Sequence, residues 1–236
     1  MPIRLLVLED DDGIRALLAM ALEDEGYEVR TFADAESALA EESLGEINLF
    51  LVDLMLGGMD GFTFIREIRR RSDVPVIVLS AKGDTHDIVA ALEAGADDYV
   101  TKPFEIKEVS ARLRALRRRA PSSPTDSSRD SEDVVVLDSS NGPLVLDLGA
   151  GVVRRGDDEV HVTVTEFHLL RELATSAGRV LSRQVLLERV WDHGYFGDER
   201  IVDVHVRRLR TKIETTASDP RLLVTVRGLG YRLDPA

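Results

Sequence analysis

The stretch that most constrains this chain runs from Ile47 to Gly61. Leu49-Phe50-Leu51-Val52 is an unbroken apolar run, the pattern of a strand covered on both faces, as in a parallel sheet. It stops on a carboxylate, Asp53, and passes into Leu54-Met55-Leu56-Gly57-Gly58, a glycine-rich loop. Strands that run parallel need crossovers, usually helices, between them. An aspartate at a strand end is in itself an ordinary turn cap. Any chemistry at Asp53 therefore depends on what the other strand ends bring to it.

The first half supplies the alternation. Residues 3–8 predict a first strand, and Asp12 a cap for a helix with Ile14, Leu17, Leu18, Ala21 and Leu22 at helical spacing, stopped by Gly26. Tyr27 to Phe32 predicts strand two, and Asp34 caps a helix reaching about Glu42. After the Asp53 strand come helix three (Phe62 to Arg71), strand four (Val74 to Leu79) and helix four (Thr85 to Ala94). Asp98 to Thr101 predicts strand five; Ile106, Val109, Leu113 and Leu116 form one face of helix five. This order predicts an α/β fold with a doubly wound, five-stranded parallel sheet.

In such sheets ligands gather beyond the carboxyl ends of the strands. Here those ends carry Glu9, Asp10 and Asp11 after strand one, Asp53 after strand three, Ser80 after strand four and Lys102 after strand five. Clustered carboxylates raise one another's pKa unless a cation neutralises them. An all-oxygen donor set, with no cysteine in the chain and no histidine nearby, favours a hard ion such as Mg²⁺. A carboxylate beside Mg²⁺ and an ammonium can attack a phosphoryl group, because both cations offset charge on its oxygens. Ser80 is placed to bond one of those oxygens. The plainer alternative is a solvated acidic loop with Lys102 as its counter-ion.

The net charge of −13 hides an uneven distribution. Residues 1–119 and 120–142 are acidic; residues 143–236 are neutral overall but hold a cationic run, Arg200 to Lys212. Such a patch on an acidic body suits a polyanion. No apolar run approaches the ~20 residues needed to span a bilayer. Met1 to Leu8 meets acid at Glu9 without a cleavage motif, so it reads as a strand rather than a signal peptide. With cysteine absent, a reducing, cytoplasmic setting without membrane contact is the expectation.

Pro121 to Asp133 is rich in Pro, Ser and acid and reads as a linker, interrupted by Val134 to Leu137, which can add a strand to either neighbour. From Pro143 the texture changes. Leu144 to Leu148, Val152 to Arg155 and Glu159 to Val164 alternate around glycine turns, a small antiparallel sheet. Thr165 begins a helix ending near Gly178, and Ser182 caps another running to Trp191, read as a core residue. In the cationic segment Val202, Val206, Leu209 and Ile213 form one apolar stripe, leaving Arg200, Val204, Arg207, Arg208 and Thr211 on other faces. A helix anchored by one face and showing arginines outward suits a DNA major groove. Leu222 to Leu233 predicts a hairpin with Arg227 near its tip. His86, His161, His168 and His193 show no ligand spacing.

Leu8-Glu9-Asp10-Asp11, Val52-Asp53-Leu54-Met55-Leu56, Leu79-Ser80-Ala81 and Gly95 to Phe104, with Thr225-Val-Arg-Gly-Leu-Gly-Tyr-Arg232, resemble the two-component response regulators of the OmpR/PhoB type. The resemblance implies a flavodoxin-like receiver over 1–119, a flexible linker over 120–142 and an α+β winged-helix DNA-binding domain over 143–236. It implies that Asp53 accepts phosphate from a sensor histidine kinase, with Glu9, Asp10, Asp53 and the Met55 backbone carbonyl holding Mg²⁺. Ser80 and Lys102 would contact the phosphoryl group, Tyr99 would turn inward as the switch, and the Lys102–Pro103 bond would be cis.

The resemblance also implies a phosphorylation-dependent homodimer using Asp97, Asp98, Glu108, Arg112 and Arg114. Promoter DNA would be met by Arg200, His205, Arg207, Arg208 and Arg210 on a recognition helix and by Thr225, Arg227 and Tyr231 on a wing. Base reading falls to Arg208 and minor-groove entry to Arg227, with RNA polymerase as a further partner. The protein would then be a regulator and not an enzyme, beyond its own phosphorylation and slow dephosphorylation. Two departures stand out: Gly57 replaces the usual proline, implying a looser loop, and Ile88 and Ala91 occupy helix four where a basic residue is common. Two competing readings are a phosphatase with an aspartyl-phosphate intermediate, which Asp53-Leu54-Met55 fits poorly for want of a second carboxylate, and a DNA-binding protein whose first domain only dimerises.

Overall fold

Parallel strands need a crossover between them, and the chain provides one after each of its first four strands. The computed structural model describes residues 2–81, 85–119, 134–139, 142–191 and 198–236. These fall into two compact units, Met1–Arg118 and Arg119–Ala236. The first contains β1 (Ile3–Leu8), α1 (Asp12–Asp24), β2 (Tyr27–Phe32), α2 (Ala35–Leu39), a 3-10 turn (Glu42–Glu46), β3 (Leu49–Asp53) and α3 (Gly61–Arg69). β4 (Val76–Ala81), α4 (Thr85–Ala94), β5 (Asp98–Lys102) and α5 (Ile106–Arg119) complete it.

The sheet order is β2-β1-β3-β4-β5, all parallel. One face carries Leu5, Val7, Leu49, Leu51, Ile77 and Leu79 against Leu18 and Leu22 of α1 and Val109, Leu113 and Leu116 of α5. On the other, Phe50 meets Phe64 of α3 edge-on, with ring centroids 6.1 Å apart. Leaving β1, the chain first pairs on one side with β2 and later on the other with β3. That reversal opens a crevice above the carboxyl ends of β1 and β3.

Several boundaries differ from the sequence reading for local reasons. Asp11, not Asp12, caps α1: its side chain accepts from the Ile14 N–H at 2.8 Å. The second helix ends at Leu39 and the chain resumes as the 3-10 turn. β4 starts at Val76 because Pro75 has no N–H to donate, although its carbonyl accepts from Phe50 N at 2.9 Å. The loop after Asp53 is tied down despite Gly57. Leu54 N donates to Leu79 O at 3.2 Å, Met59 N to Glu36 Oε1 at 3.0 Å and Gly61 N to Leu54 O at 3.1 Å.

In the second unit, β6 (Val134–Asp138), β7 (Leu144–Asp147), β8 (Val152–Arg155) and β9 (Asp158–Glu159) form an antiparallel sheet in that order. Val134 to Asp138 thus pairs with β7, although it falls within the segment read as linker; residues 120–133 lie outside the described residues. Next come α6 (Val164–Thr175), α7 (Arg183–Trp191), α8 (Arg200–Ile213) and the hairpin β10 (Leu223–Val226) with β11 (Gly230–Leu233). The strand predicted through Val164 stops early because Thr163 and Glu166 form a capping box that starts α6 one residue sooner than expected. Val202, Val206, Leu209 and Ile213 are buried, as the apolar stripe of α8 requires. Among the described residues no helix is long and apolar enough to cross a membrane.

One glycine shapes the crevice directly. A Cβ on Gly61 would stand 2.3 Å from the Asp53 carbonyl oxygen and 2.8 Å from Leu54 Cα, with only backbone to yield. Gly61→Ala is therefore expected to cost the first unit about 1–3 kcal/mol. Urea unfolding followed by far-ultraviolet circular dichroism checks this, with the fluorescence transition of the single tryptophan, Trp191 in the second unit, staying in place.

Candidate functional site

Three strand ends meet in the crevice. Glu9, just past β1, is fully buried, and Asp53, the last residue of β3, is 4% exposed. Lys102, the last residue of β5, reaches over both. Its Nζ donates to Glu9 Oε2 at 2.7 Å, Glu9 Oε1 at 2.9 Å and Asp53 Oδ2 at 2.8 Å. Parallel register brings them level: Leu8 lies beside Val52, Asp53 beside Leu79, and Ala81 beside Lys102. Ser80 is buried at the penultimate position of β4. The Lys102–Pro103 bond is cis.

Burial raises the Glu9 carboxyl above its ordinary value; the Lys102 hydrogen bond opposes the rise and the Asp53 charge adds to it. Burial alone would lower Lys102, but its bonds to Asp53 and Glu9 hold the ammonium above its ordinary pKa. Single carboxylate oxygens of Glu9, Asp10 and Asp53 lie within 4.8 Å of one another, and Asp10 is exposed. Three oxygen donors against one ammonium, in a pocket open on the Asp10 side, fit a hard divalent cation that keeps part of its water shell. Met55 N donates to Asp53 Oδ1 at 3.2 Å, which ties the start of the loop to the carboxylate.

Arg15 was not foreseen. Its guanidinium donates to the backbone carbonyls of Glu9 at 2.8 Å and Asp10 at 3.2 Å, fixing the acidic loop from the first turns of α1. Its only sequence signal is its place one helical turn beyond Asp11. Asp11 is engaged as the α1 cap, so it stands apart from the cluster of three.

The residues assigned to a dimer face are largely committed within one chain. Asp97 is corrected outright: it is fully buried, accepting from Arg69 Nη2 at 2.6 Å and from Val76 N at 3.0 Å. Asp98 is buried and takes Arg112 Nη1 at 3.1 Å, while Arg112 Nη2 reaches Glu108 at 2.9 Å. That last pair supplies Glu108 with a partner on its own helix. Arg114 is exposed and bonds Glu25 at 2.9 Å. Tyr99 is buried, with the Arg112 guanidinium 5.9 Å from its ring.

In the second unit the cationic run divides. Arg200 and Arg207 are exposed and, seven residues apart, share one stripe of α8. Thr225 and Arg227 are exposed on one face of the hairpin. Of the other four assigned DNA contacts, His205 and Tyr231 are buried and stand corrected, while Arg208 and Arg210 are half-buried and bonded within the domain. His205 is fully buried against Trp191, at 5.2 Å between ring centroids. Tyr231 is 4% exposed, and its hydroxyl donates to Asp203 Oδ1 at 2.6 Å. Burial, reinforced by that bond, pushes the phenol up to about 12. Arg210 folds back, its Nε and Nη2 donating to Leu223 O at 2.8 and 2.6 Å. Arg208, the expected base reader, has a side chain only 12% exposed and lies 2.9 Å from Glu166, a carboxylate with no exposure at all.

Glu166 is a second residue whose role the sequence reading missed. Besides Arg208 it takes Lys212 Nζ at 2.6 Å and the Thr163 N–H at 2.9 Å, joining the start of α6 to the later turns of α8. The signal was present as Thr163-Val164-Thr165-Glu166, a capping-box spacing. Burial alone would raise this carboxyl, but Arg208 and Lys212 hold it below its ordinary 4.5. Its contribution to stability is therefore present above that value and lost as pH falls through the depressed one. Glu166→Gln strands two partly buried cations and is expected to cost roughly 3 kcal/mol. Urea unfolding read by Trp191 fluorescence checks it, and the variant should lose the acid-side fall specific to this carboxyl.

Comparison with known proteins agrees with this geometry. Residues 5–114 match the response regulator receiver domain, and residues 157–233 match the C-terminal domain of transcriptional regulatory proteins. The transcriptional regulatory protein AfsQ1 of Streptomyces coelicolor is 45% identical over 231 residues, covering 98% of both chains. Among solved structures, a mutant of RitR superposes with a TM-score of 0.72 at 26% identity, covering 99% of this chain and 100% of that one. DrrB, a Thermotoga maritima OmpR/PhoB homologue, does so with a TM-score of 0.52 at 30% identity over the same shares. A receiver sheet joined to a winged-helix output domain, with relatives alike over nearly their whole length, places this chain in the OmpR/PhoB family of two-component response regulators, which act as transcriptional regulators.

Proposed function

We propose that Asp53 is the phosphoacceptor through which a sensor histidine kinase controls promoter binding by the C-terminal domain. The observation that carries this reading is the single ammonium of Lys102 within 2.8 Å of both Glu9 and Asp53, three strand ends converging on one carboxylate. An Asp53 oxygen attacks the phosphorus of a phosphohistidine, the P–N bond breaks, and the imidazole leaves with a proton. Glu9, Asp10, Asp53 and the Met55 carbonyl would hold Mg²⁺, which when bound offsets charge on the phosphoryl oxygens. Lys102 turns from its carboxylate partners to the new phosphoryl group, and Ser80 donates to another of its oxygens.

The added charge of about −1.5 to −2 draws Ser80, with Tyr99 following, and shifts the receiver between two pre-existing states. The receiver spans 1–119 and the output domain begins where β6 joins its sheet. Homodimerisation then places two output domains on adjacent half-sites, gaining affinity by effective concentration. On the α4–β5–α5 side it would require Asp98, Glu108 and Arg112 to exchange partners they hold within the chain. Recruitment of RNA polymerase and a cytoplasmic location complete the reading.

With a small phosphodonor such as acetyl phosphate and Mg²⁺, the chain is expected to gain one hydroxylamine-labile phosphoryl group by mass spectrometry, and Asp53→Asn to gain none. Labelling of that variant to the wild-type extent sinks the assignment. On the DNA side, base reading moves from Arg208 to the exposed Arg207. Arg207→Ala is expected to lose ~1–3 kcal/mol of binding on a selected duplex and to relax sequence preference at one position. An equal loss on every duplex would make Arg207 a phosphate contact instead.

A further inference from the structure

Tyr231 and its neighbours form a knot between three elements. Arg183, the first residue of α7, donates through Nε to Asp203 Oδ1 at 2.6 Å and through Nη2 to the Tyr231 hydroxyl at 3.2 Å. The same Asp203 oxygen, on the first turn of α8, accepts the Tyr231 hydroxyl from β11. Two guanidinium groups flank the phenol ring, that of Arg183 5.0 Å and that of Arg210 5.7 Å from its centroid. Arg210 in turn holds β10, through Leu223 O and through Thr225 Oγ1 at 2.8 Å. Both strands of the hairpin are thus fastened to α8, one by a phenol and one by a guanidinium.

A two-stranded hairpin is marginally stable alone. Its tip, with Thr225 and Arg227, would be free to swing unless something outside the ladder fixed it. Backbone pairing does so in part: Tyr231 N donates to Leu181 O at 2.9 Å, and Leu181 N to Tyr231 O at 2.8 Å. That bridge sets the hairpin beside the segment before α7 and makes no bond to α8. Registration against α8 comes from side chains: Glu214, the C-cap of α8, accepts from Leu222 N at 3.0 Å and Leu223 N at 2.8 Å at the start of β10, and the buried Tyr231 with Arg210 fixes the rest of the hairpin. A hydroxyl bonded to a carboxylate is among the stronger and more directional links available to a side chain.

We infer that Tyr231 and Asp203 are positioning residues for DNA recognition, locking the wing to the recognition helix so that Arg207 and Arg227 meet the duplex as one preorganised unit. The inference rests on the proposed DNA contacts of those two arginines. Preorganisation raises affinity by removing the cost of ordering the wing on binding. Neither positioning residue touches DNA; each acts through the arginines it aims.

Tyr231→Phe removes the hydroxyl while keeping the ring and the backbone bridge. In the full-length variant, free of DNA, amide exchange in residues 223–226 and 230–233 is expected to quicken roughly tenfold, with α6 amides unchanged. Affinity is then measured on a duplex that the wild-type chain selects from a random pool, with and without Arg227→Ala. In the wild-type background Arg227→Ala weakens binding; in the Tyr231→Phe background the additional loss shrinks, because the arginine is no longer held in place. Wing exchange that stays at the wild-type rate, or that quickens equally throughout the domain, overturns the inference, as does an undiminished effect of Arg227→Ala. If Arg227→Ala changes nothing even in the wild type, the proposed minor-groove contact falls, and the exchange rates decide by themselves whether the hydroxyl positions the wing.

Discussion

The ammonium of Lys102 between Glu9 and Asp53 is the contact on which the receiver's design turns. Burial makes the Glu9 carboxyl resist ionisation, and the charge of the neighbouring Asp53 adds to that resistance. The shared cation relieves that resistance, yet a desolvated ion pair adds little net stability over apolar packing. Its value lies in poise: one positive charge against Glu9, Asp10 and Asp53 leaves the pocket net negative and attractive to a divalent cation. The sheet order makes this possible, since β1, β3 and β5 end level on one edge and the strand reversal beside β1 keeps that edge open. Arg15, bonded to the Glu9 and Asp10 carbonyls, and Gly61, packed against the Asp53 backbone, help fix the chain from which the acids project.

The output domain solves a related problem in the opposite sense. Five basic residues lie between Arg200 and Lys212, and a helix carrying them close together would repel itself. Glu166 takes up Arg208 and Lys212 from one side, and Tyr231 with the Leu223 carbonyl holds Arg210 on another. Arg200 and Arg207 are left facing outward. A basic stretch that looks uniform is thus divided between residues that brace α8 against neighbouring elements and residues that remain exposed. This division explains how the helix can be strongly cationic and still pack three neighbours.

Much of this was legible before any coordinates. Strand-end residues Glu9, Asp53, Ser80 and Lys102 could be placed because alternation in a doubly wound sheet dictates which end of each strand carries polar groups. The apolar stripe of α8 followed from spacing alone. Less legible was anything that depended on a partner distant in sequence. Asp97 looked like a surface acid beside Asp98 until Arg69, on α3, was found covering it. Glu166 was hidden because Val160 to Val164 carries a strand-like alternation, and the capping box that ends it acts at the same residues.

What the chain determined by itself was the order of elements and the chemistry available at each strand end, since periodicity and caps act within a few residues. What only tertiary structure decided was the use made of each charge. A helical wheel gives the angle at which Arg208 leaves α8, and that angle looked outward. Whether it meets water or a buried carboxylate depends on α6, whose Glu166 stands 42 residues earlier and forms the ion pair only once the two helices are packed. The same holds for Tyr231, a wing residue by motif and an anchor by contact, because the acid it bonds belongs to another element.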